Sequence, residues 1–186
     1  MSLMHSPTLR QKFQVDPWPC EDCDSVLFIL DVINSFEEQL LKQWIDTHVE
    51  GRENIARHEV VVDLSDDRKG IDTANLVRQM ELPEDTLVAP LRIAWLPTEE
   101  AINSGPRLRD LVFGDPRRPT PKQGRKIIEL NPSRMQLING APDSIGNLRG
   151  RYQHKYGIKT SEAPQSFAKF VGRQATIVLD IGERRL

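Results

Sequence analysis

The sequence has no long apolar run and almost no net charge. None of its apolar runs approaches the roughly 18 residues of a membrane-spanning helix, and its N-terminus carries no apolar stretch typical of a secretory signal. A net charge of −2 and 38% hydrophobic residues exclude a disordered tail and, for the chain as a whole, a nucleic-acid binder. We therefore expect a soluble, cytoplasmic domain without a nucleic-acid partner, whose 186 residues are enough to bury a core.

Cysteine is also scarce, since the chain has two, Cys20 and Cys23, in one short stretch. A redox pair of this spacing normally opens a helix that follows a strand, and this context is absent. A structural zinc ion would need two further ligands, for which only scattered histidines remain. The sequence therefore predicts two free thiols, no metal ion and no cofactor.

The usual signatures of catalysis are missing too. No glycine-rich phosphate loop or aspartyl-phosphate motif is present. One histidine and one aspartate, His58 and Asp63, are separated by four residues, but the intervening β-branched run is typical of a strand. Residues five apart in a strand point to opposite faces, so these two cannot act as a pair. We predict no catalytic residue in this chain.

Strand-like and helix-like patterns alternate along the sequence. Compact apolar runs predict strands at Val26–Leu30, Glu59–Leu64, Leu87–Leu96 and Met135–Ile138. Helical spacing predicts helices from a capping box at Ser35 and Glu38, over Ile71–Met80, over Pro121–Leu130, from an N-cap at Asp143 to Tyr156, and over Pro164–Leu186, with a short helix or turn at Leu108–Phe113.

This alternation predicts an α/β fold with a mainly parallel sheet of about four strands and helices on both faces. A C-terminal helix follows, with an apolar stripe that includes Phe167, Phe170 and Ile181. We divide the chain into a loosely ordered arm over residues 1–25, an α/β domain over 26–160 and the C-terminal helix over 161–186. We also expect the chain to be part of a longer polypeptide.

Charge is spread unevenly along the chain. Residues 16–67 hold 14 acids and 3 bases, a balance of −11, whereas residues 107–186 hold 16 bases and 7 acids, a balance of +9. A basic bridge follows the third strand, and its candidate anion- or membrane-facing residues are Arg117, Arg118, Lys122, Arg125 and Lys126. These residues suit lipid headgroups, a substrate phosphate or an acidic partner. The alternative is that the acidic segment and the basic segment face each other within one domain.

Three further charges lie within or at the ends of the predicted strands. Arg92 interrupts the apolar third strand, and a buried arginine needs a partner to offset its desolvation. Asp31 or Asp63, at the ends of neighbouring strands, would form a structural ion pair with it, and a bound anion would be the functional alternative. Acids at the carboxyl ends of parallel strands also suit Mg²⁺, although helix capping and loop solvation explain them better, because no phosphate-binding motif accompanies them.

Several short strings are specific enough to suggest a family. They are W-L-P at 95–97, G-D-P-R-R-P at 114–119, N-P-S-R at 131–134, N-G-A-P at 139–142, F-A-K-F-V at 167–171, R-Q-A at 173–175 and E-R-R-L at 183–186. Over roughly residues 26–186 the chain resembles the N-terminal region of actinobacterial glycerol-3-phosphate acyltransferases. Members of that family make lysophosphatidate from glycerol 3-phosphate and acyl-CoA during phospholipid biosynthesis.

The resemblance implies a role without chemistry of its own. The family's catalytic domain uses an H-x-x-x-x-D motif, to which no residues of this chain correspond. The resemblance therefore implies a non-catalytic accessory domain, whose partner is the acyltransferase domain of the same polypeptide and which lies near the inner face of an anionic membrane. The alternatives are a free-standing Mg²⁺-dependent hydrolase or nucleotide-binding protein that uses the acids at the strand ends, and a plain protein-interaction module.

Overall fold

A computed structural model describes residues 13–64, 74–97 and 117–186. In chain order the elements are β1 (Ser25–Asp31), α1 (Ser35–Asp46), β2 (Ala56–Val62), α2 (Ala74–Gln79), β3 (Leu87–Trp95), α3 (Pro121–Leu130), a 3₁₀ turn (Pro132–Arg134), β4 (Met135–Asn139), β5 (Asp143–Ser144), α4 (Ile145–Tyr156) and α5 (Pro164–Glu183). No helix in these ranges is long and apolar enough to cross a membrane. The predicted helix or turn at 108–113 lies outside the described residues.

The predicted α/β class is confirmed. The strands form one sheet in the order β2-β1-β3-β4, with the short β5 also paired to β3. Strand β1 runs parallel to both β2 and β3. Because strands β2, β1 and β3 are joined through helices, their carboxyl ends meet at one edge of the sheet, where ligand sites of such folds usually lie.

Strand β4 is antiparallel to β3, so the sheet is only mostly parallel. The cause is visible where the two strands meet, because Leu96 N donates to Arg134 O at 2.8 Å. The chain therefore enters β4 at the point where it left β3 and has to run back along it. Apolar periodicity predicts that a strand is present but does not predict its direction.

Helices cover both faces of the sheet. On one face α1 and α3 pack over alternate residues of β1 and β3, including Phe28 and Leu91. On the other face α2, α4 and α5 pack over the intervening residues, including Ile29 and Val88. Strands covered on both sides carry apolar residues at nearly every position, which explains the unbroken apolar runs of the sequence.

Two predicted helix starts are shifted by one residue. Asn34, not Ser35, caps α1, since its side chain accepts hydrogen bonds from the N–H groups of Phe36 and Glu37. Ser144 caps α4 by accepting from Asn147 N, and the predicted cap Asp143 belongs to β5 instead. Adjacent Asn, Ser and Asp residues cap equally well, so the geometry of the preceding strand decides between them.

The N-terminal arm is not loosely held over its described part. Phe13 and Trp18 are buried with α1 and β1. Trp18 Nε1 donates to Ile45 O at 3.2 Å, and Trp44 Nε1 donates to Val15 O at 2.6 Å. Two indole N–H groups therefore fix the arm across α1, a tertiary interaction that a segment without periodicity does not reveal.

The prediction of two free thiols is wrong, because Cys20 and Cys23 form a disulfide. Both residues are partly buried against the same apolar cluster as Trp18. The turn between them brings the two sulfurs together. The sequence reasoning expected a C-x-x-C pair to open a helix, and no helix follows this one. The disulfide therefore closes the loop that leads into β1.

Candidate functional site

A cavity of about 360 Å³ opens at the carboxyl ends of β1 and β3. Its walls include Asp31, Glu37, Arg92, Trp95 and Arg117. Asp180 and Glu183, from the last turns of α5, also line it. The cavity is at the sheet edge where a ligand is expected in this class of fold, and its polar groups come from both faces of the sheet.

Register places Arg92 beside Asp31. The two residues are opposite each other in the β1–β3 ladder, so their side chains leave the sheet on the same face. Arg92 Nε donates to Asp31 Oδ2 at 2.5 Å, and Leu64 N donates to Asp31 Oδ1 at 2.8 Å. Both carboxylate oxygens of Asp31, which is 3% exposed, therefore accept hydrogen bonds from the protein.

The same guanidinium group reaches the C-terminal helix. Arg92 Nη1 donates to Asp180 Oδ1 at 2.7 Å and to Glu183 Oε2 at 3.2 Å. Asp180 and Glu183 are three residues apart, so they lie on one side of α5 and meet the same nitrogen. Arg92 thus links β1, β3 and α5, and charge-assisted hydrogen bonds of this kind are stronger than neutral ones.

Burial and neighbouring charges shift the pKa values of Asp31 and Arg92 in opposite directions. Burial raises the pKa of Asp31, and the positive charge of Arg92 and the hydrogen bond from Leu64 N offset only part of that effect. Burial disfavours the charged form of Arg92, but its carboxylate partners outweigh burial and raise the pKa of its guanidinium. Arg92 therefore remains charged near neutral pH.

Glu37 is a second buried carboxylate, on the opposite face of the sheet. Trp95 Nε1 donates to its Oε1 at 2.7 Å, and Ile33 N donates to its Oε2 at 3.0 Å. Burial raises the pKa of Glu37, and these two neutral donors offset part of that rise. Glu37 therefore joins the start of α1 to the end of β3.

The predicted basic bridge is divided between two places. Arg117 and Arg118 line the cavity, and Arg118 Nη2 lies 3.8 Å from Asp63 Oδ1. Three others, Lys122, Arg125 and Lys126, are exposed on α3, where the Arg125 guanidinium lies 5.1 Å from the centre of the Phe36 ring. The structure therefore brings Asp31 and Arg92 together and places Asp63 with Arg118. Arg107 and Arg109 lie outside the described residues.

Sequence reasoning missed three acids that line the cavity: Glu37, Asp180 and Glu183. The three-residue spacing of Asp180 and Glu183 is a sequence signal, because it puts two acids on one side of a helix. Glu37 carries no such signal. Its burial depends on Trp95, which is 58 residues away along the chain.

Arg92 and its three carboxylate partners, Asp31, Asp180 and Glu183, form an ion-pair clamp that joins β1, β3 and α5. Within the described ranges, no three His, Cys, Asp or Glu side chains are grouped in a way that would hold a metal ion. Asp31, the acid that a metal at the strand ends would require, already uses both oxygens on protein donors. No protein-family model matches the chain, and no solved structure matches it significantly.

Proposed function

We propose that the chain is the non-catalytic N-terminal accessory domain of a glycerol-3-phosphate acyltransferase, an enzyme that makes lysophosphatidate from acyl-CoA and glycerol 3-phosphate. The observation that carries the non-catalytic part is the state of the two buried carboxylates. Asp31 and Glu37 each use both oxygens to accept from protein donors. A general acid or base needs an oxygen within reach of the substrate proton, and both carboxylates are 3% exposed and held by protein donors, which disfavours that role.

The positions of the family-specific strings support the acyltransferase part. The W-L-P and N-P-S-R strings contact each other twice, through Leu96 N to Arg134 O and through Arg134 Nε to Leu96 O, both at 2.8 Å. The string that ends in R-R-P reaches α1, where Asn34 Nδ2 donates to Pro119 O at 3.3 Å. Strings that are far apart in sequence thus meet at the carboxyl end of β3, as residues that specify one shared fold would do.

The exposed basic side of α3 supports attachment to an anionic surface. Lys122, Arg125 and Lys126 project from one short helix, opposed there by Glu129. Each basic residue close to an anionic membrane contributes about 1 kcal/mol. Three such residues provide peripheral attachment only together with another contact, which the acyltransferase domain would supply in the longer polypeptide.

An assay of acyl transfer from acyl-CoA to glycerol 3-phosphate tests the proposal. The chain alone is expected to be inactive, and a polypeptide that extends through the acyltransferase domain is expected to be active. A variant of that polypeptide with Lys122, Arg125 and Lys126 changed to Ala should keep activity on soluble substrates but sediment less with anionic vesicles. Acyl transfer by the isolated chain, or a continuing polypeptide without an acyltransferase domain, would sink the proposal.

A further inference from the structure

The apolar stripe of α5 continues beyond the helix that covers it. Its first half packs against α4, where the Tyr152 and Tyr156 rings lie 5.6 and 6.2 Å from the ring of Phe170. Ile177 and Ile181 follow Phe170 by seven and eleven residues, the helical repeat that keeps them on the same side. They are nevertheless 50% and 44% exposed. The apolar stripe on which the sequence places Ile181 is therefore only partly packed.

A mainly apolar cleft lies beside these two residues. It has a volume of about 200 Å³ and is lined by residues of β3, α4 and α5, including Val88, Leu148 and Val178. The ion pair between Arg151 and Asp143 and the side chain of Gln174 form its polar part. The N-G-A-P loop forms its other wall, and a Cβ at Gly140 would lie 2.9 Å from Val178 Cγ2. Glycine therefore allows the loop to approach α5. The cleft is large enough to admit a leucine or phenylalanine side chain.

Basic residues flank the exposed isoleucines. Lys169, Arg173, Ile177, Ile181 and Arg185 follow one another at four-residue spacing, and all five are exposed. A four-residue spacing forms a continuous ridge along a helix, and Arg185 extends this ridge two residues beyond the last residue of α5. No ion pair joins Lys169, Arg173 or Arg185 to another residue in the described part of the chain. The acids of the same helix, Asp180 and Glu183, are instead engaged by Arg92.

A second copy of this chain does not fit the ridge. Two α5 helices packed antiparallel through Ile177 and Ile181 would bring Arg173 of one copy beside Arg185 of the other. Like charges placed in this way repel each other. The occupant therefore has to carry acids on both sides of an apolar centre. The concave cleft next to the ridge also favours a side chain that inserts from a protein over the flat surface of a bilayer.

We propose that the ridge and the cleft together bind an acidic amphipathic helix of the polypeptide that continues from this chain. Apolar residues of that helix would cover Ile177 and Ile181, one of them would enter the cleft, and its acids would face Arg173 and Arg185. This inference builds on the function proposed above, because the acyltransferase domain supplies the helix. Interfaces of the helix-in-groove kind depend on a few such apolar anchors and gain specificity from flanking charges.

Photo-crosslinking in the full-length protein tests this inference. A benzoylphenylalanine replaces Ile177 or, separately, Ile181, and mass spectrometry identifies the crosslinked residues. A matched control replaces Leu130, which is 61% exposed on the opposite face of the sheet. We expect crosslinks from positions 177 and 181 to an acidic amphipathic helix within the same molecule and none to that helix from position 130. Arg173→Glu should lower the yield from position 181 at least about fivefold.

The alternatives give different products. Lipid adducts, crosslinks to a second copy, crosslinks to residues 1–186 of the same chain, or a yield no higher than at the Leu130 position would each overturn the docking inference. A crosslink to an acidic helix of a domain that lacks acyl-transfer activity would keep the docking inference and refute the proposed function. Circular dichroism of each variant verifies the fold, which exposed positions are expected to tolerate.

Discussion

Replacing Arg92 by Met would test whether the clamp at the carboxyl edge of the sheet holds the domain together. The substitution retains most of the apolar stem but removes the charge that faces Asp31, Asp180 and Glu183. Asp31 is 3% exposed and would remain as a buried carboxylate without a cation. Removing one partner of a buried ion pair typically costs about 3–5 kcal/mol, so we expect a loss of that size near neutral pH.

The loss should depend on pH in a defined direction. Burial already raises the pKa of Asp31 in the folded protein, and Arg92 is the strongest influence opposing that rise. A raised carboxyl pKa means that the folded state retains a proton that the unfolded state releases, so stability falls as pH rises through the interval between the two pKa values. Without Arg92 the folded pKa of Asp31 is higher still and the fall is larger. The difference between wild type and Arg92→Met should therefore shrink as the pH is lowered through that interval.

Urea unfolding followed by tryptophan fluorescence provides the measurement, since Trp18, Trp44 and Trp95 are all buried. Arg57→Met is a matched control, because Arg57 forms more exposed pairs with Asp46 and Glu59 and should lose about 1 kcal/mol or less. The double variant Asp31→Asn/Arg92→Met removes the stranded charge and should recover a large part of the loss. Equal losses for the two Arg→Met variants, or a loss from Arg92→Met that grows in acid, would refute the reasoning.

Three further predictions concern the buried carboxylates Glu37 and Asp31 and the glycines of α3 and α4. Glu37→Gln should flatten the fall in stability with rising pH, because burial raises the pKa of the carboxyl that it removes; urea unfolding at several pH values measures this slope. Titration with Mn²⁺ should leave the NMR signals near Asp31 unbroadened, because protein donors occupy both of its oxygens; selective broadening there would favour the metal-dependent hydrolase. Gly124→Ala should cost about 1–3 kcal/mol in thermal or urea unfolding, because the new Cβ would lie 2.9 Å from the Phe36 ring. In the control variant Gly150→Ala the new Cβ meets no atom within 4 Å, so this substitution should stabilise α4 by about 0.5–1 kcal/mol.

The parts of the fold that were predictable from sequence are those with local causes. Helix α3 spans the predicted Pro121–Leu130, because Thr120 and Gln123 form a capping box around a proline in the first turn. The alternation of buried strands and amphipathic helices was equally predictable, since the apolar pattern of each element lies within a dozen residues. Local chemistry failed where two neighbours were equally suited to a role, as with Asn34 and Ser35, and where a turn without a following helix joined Cys20 to Cys23.

The candidate site was only partly predictable because its contacts join distant parts of the chain. An arginine inside an apolar strand signals that a partner exists, and strand-end acids are the natural candidates, so Arg92 and Asp31 could be named. The partners on α5 could not be named, since Asp180 is 88 residues from Arg92 and its position depends on how the last helix crosses the sheet. The clamp is therefore a product of tertiary packing.

The charge imbalance along the sequence also persists in three dimensions. The bases of the acidic segment pair within that segment, as Arg52 does with Asp16 and Arg57 does with Asp46. Across the two segments, Arg118 approaches Asp63 only to 3.8 Å. Local pairing thus neutralises the few bases of the acidic part and leaves the exposed bases of α3 and α5 without such neighbours in the described chain. Charges that are not satisfied internally act at longer range on partners, and their effect weakens with salt. The described part of the domain therefore keeps two basic surfaces open, one on α3 and one along α5.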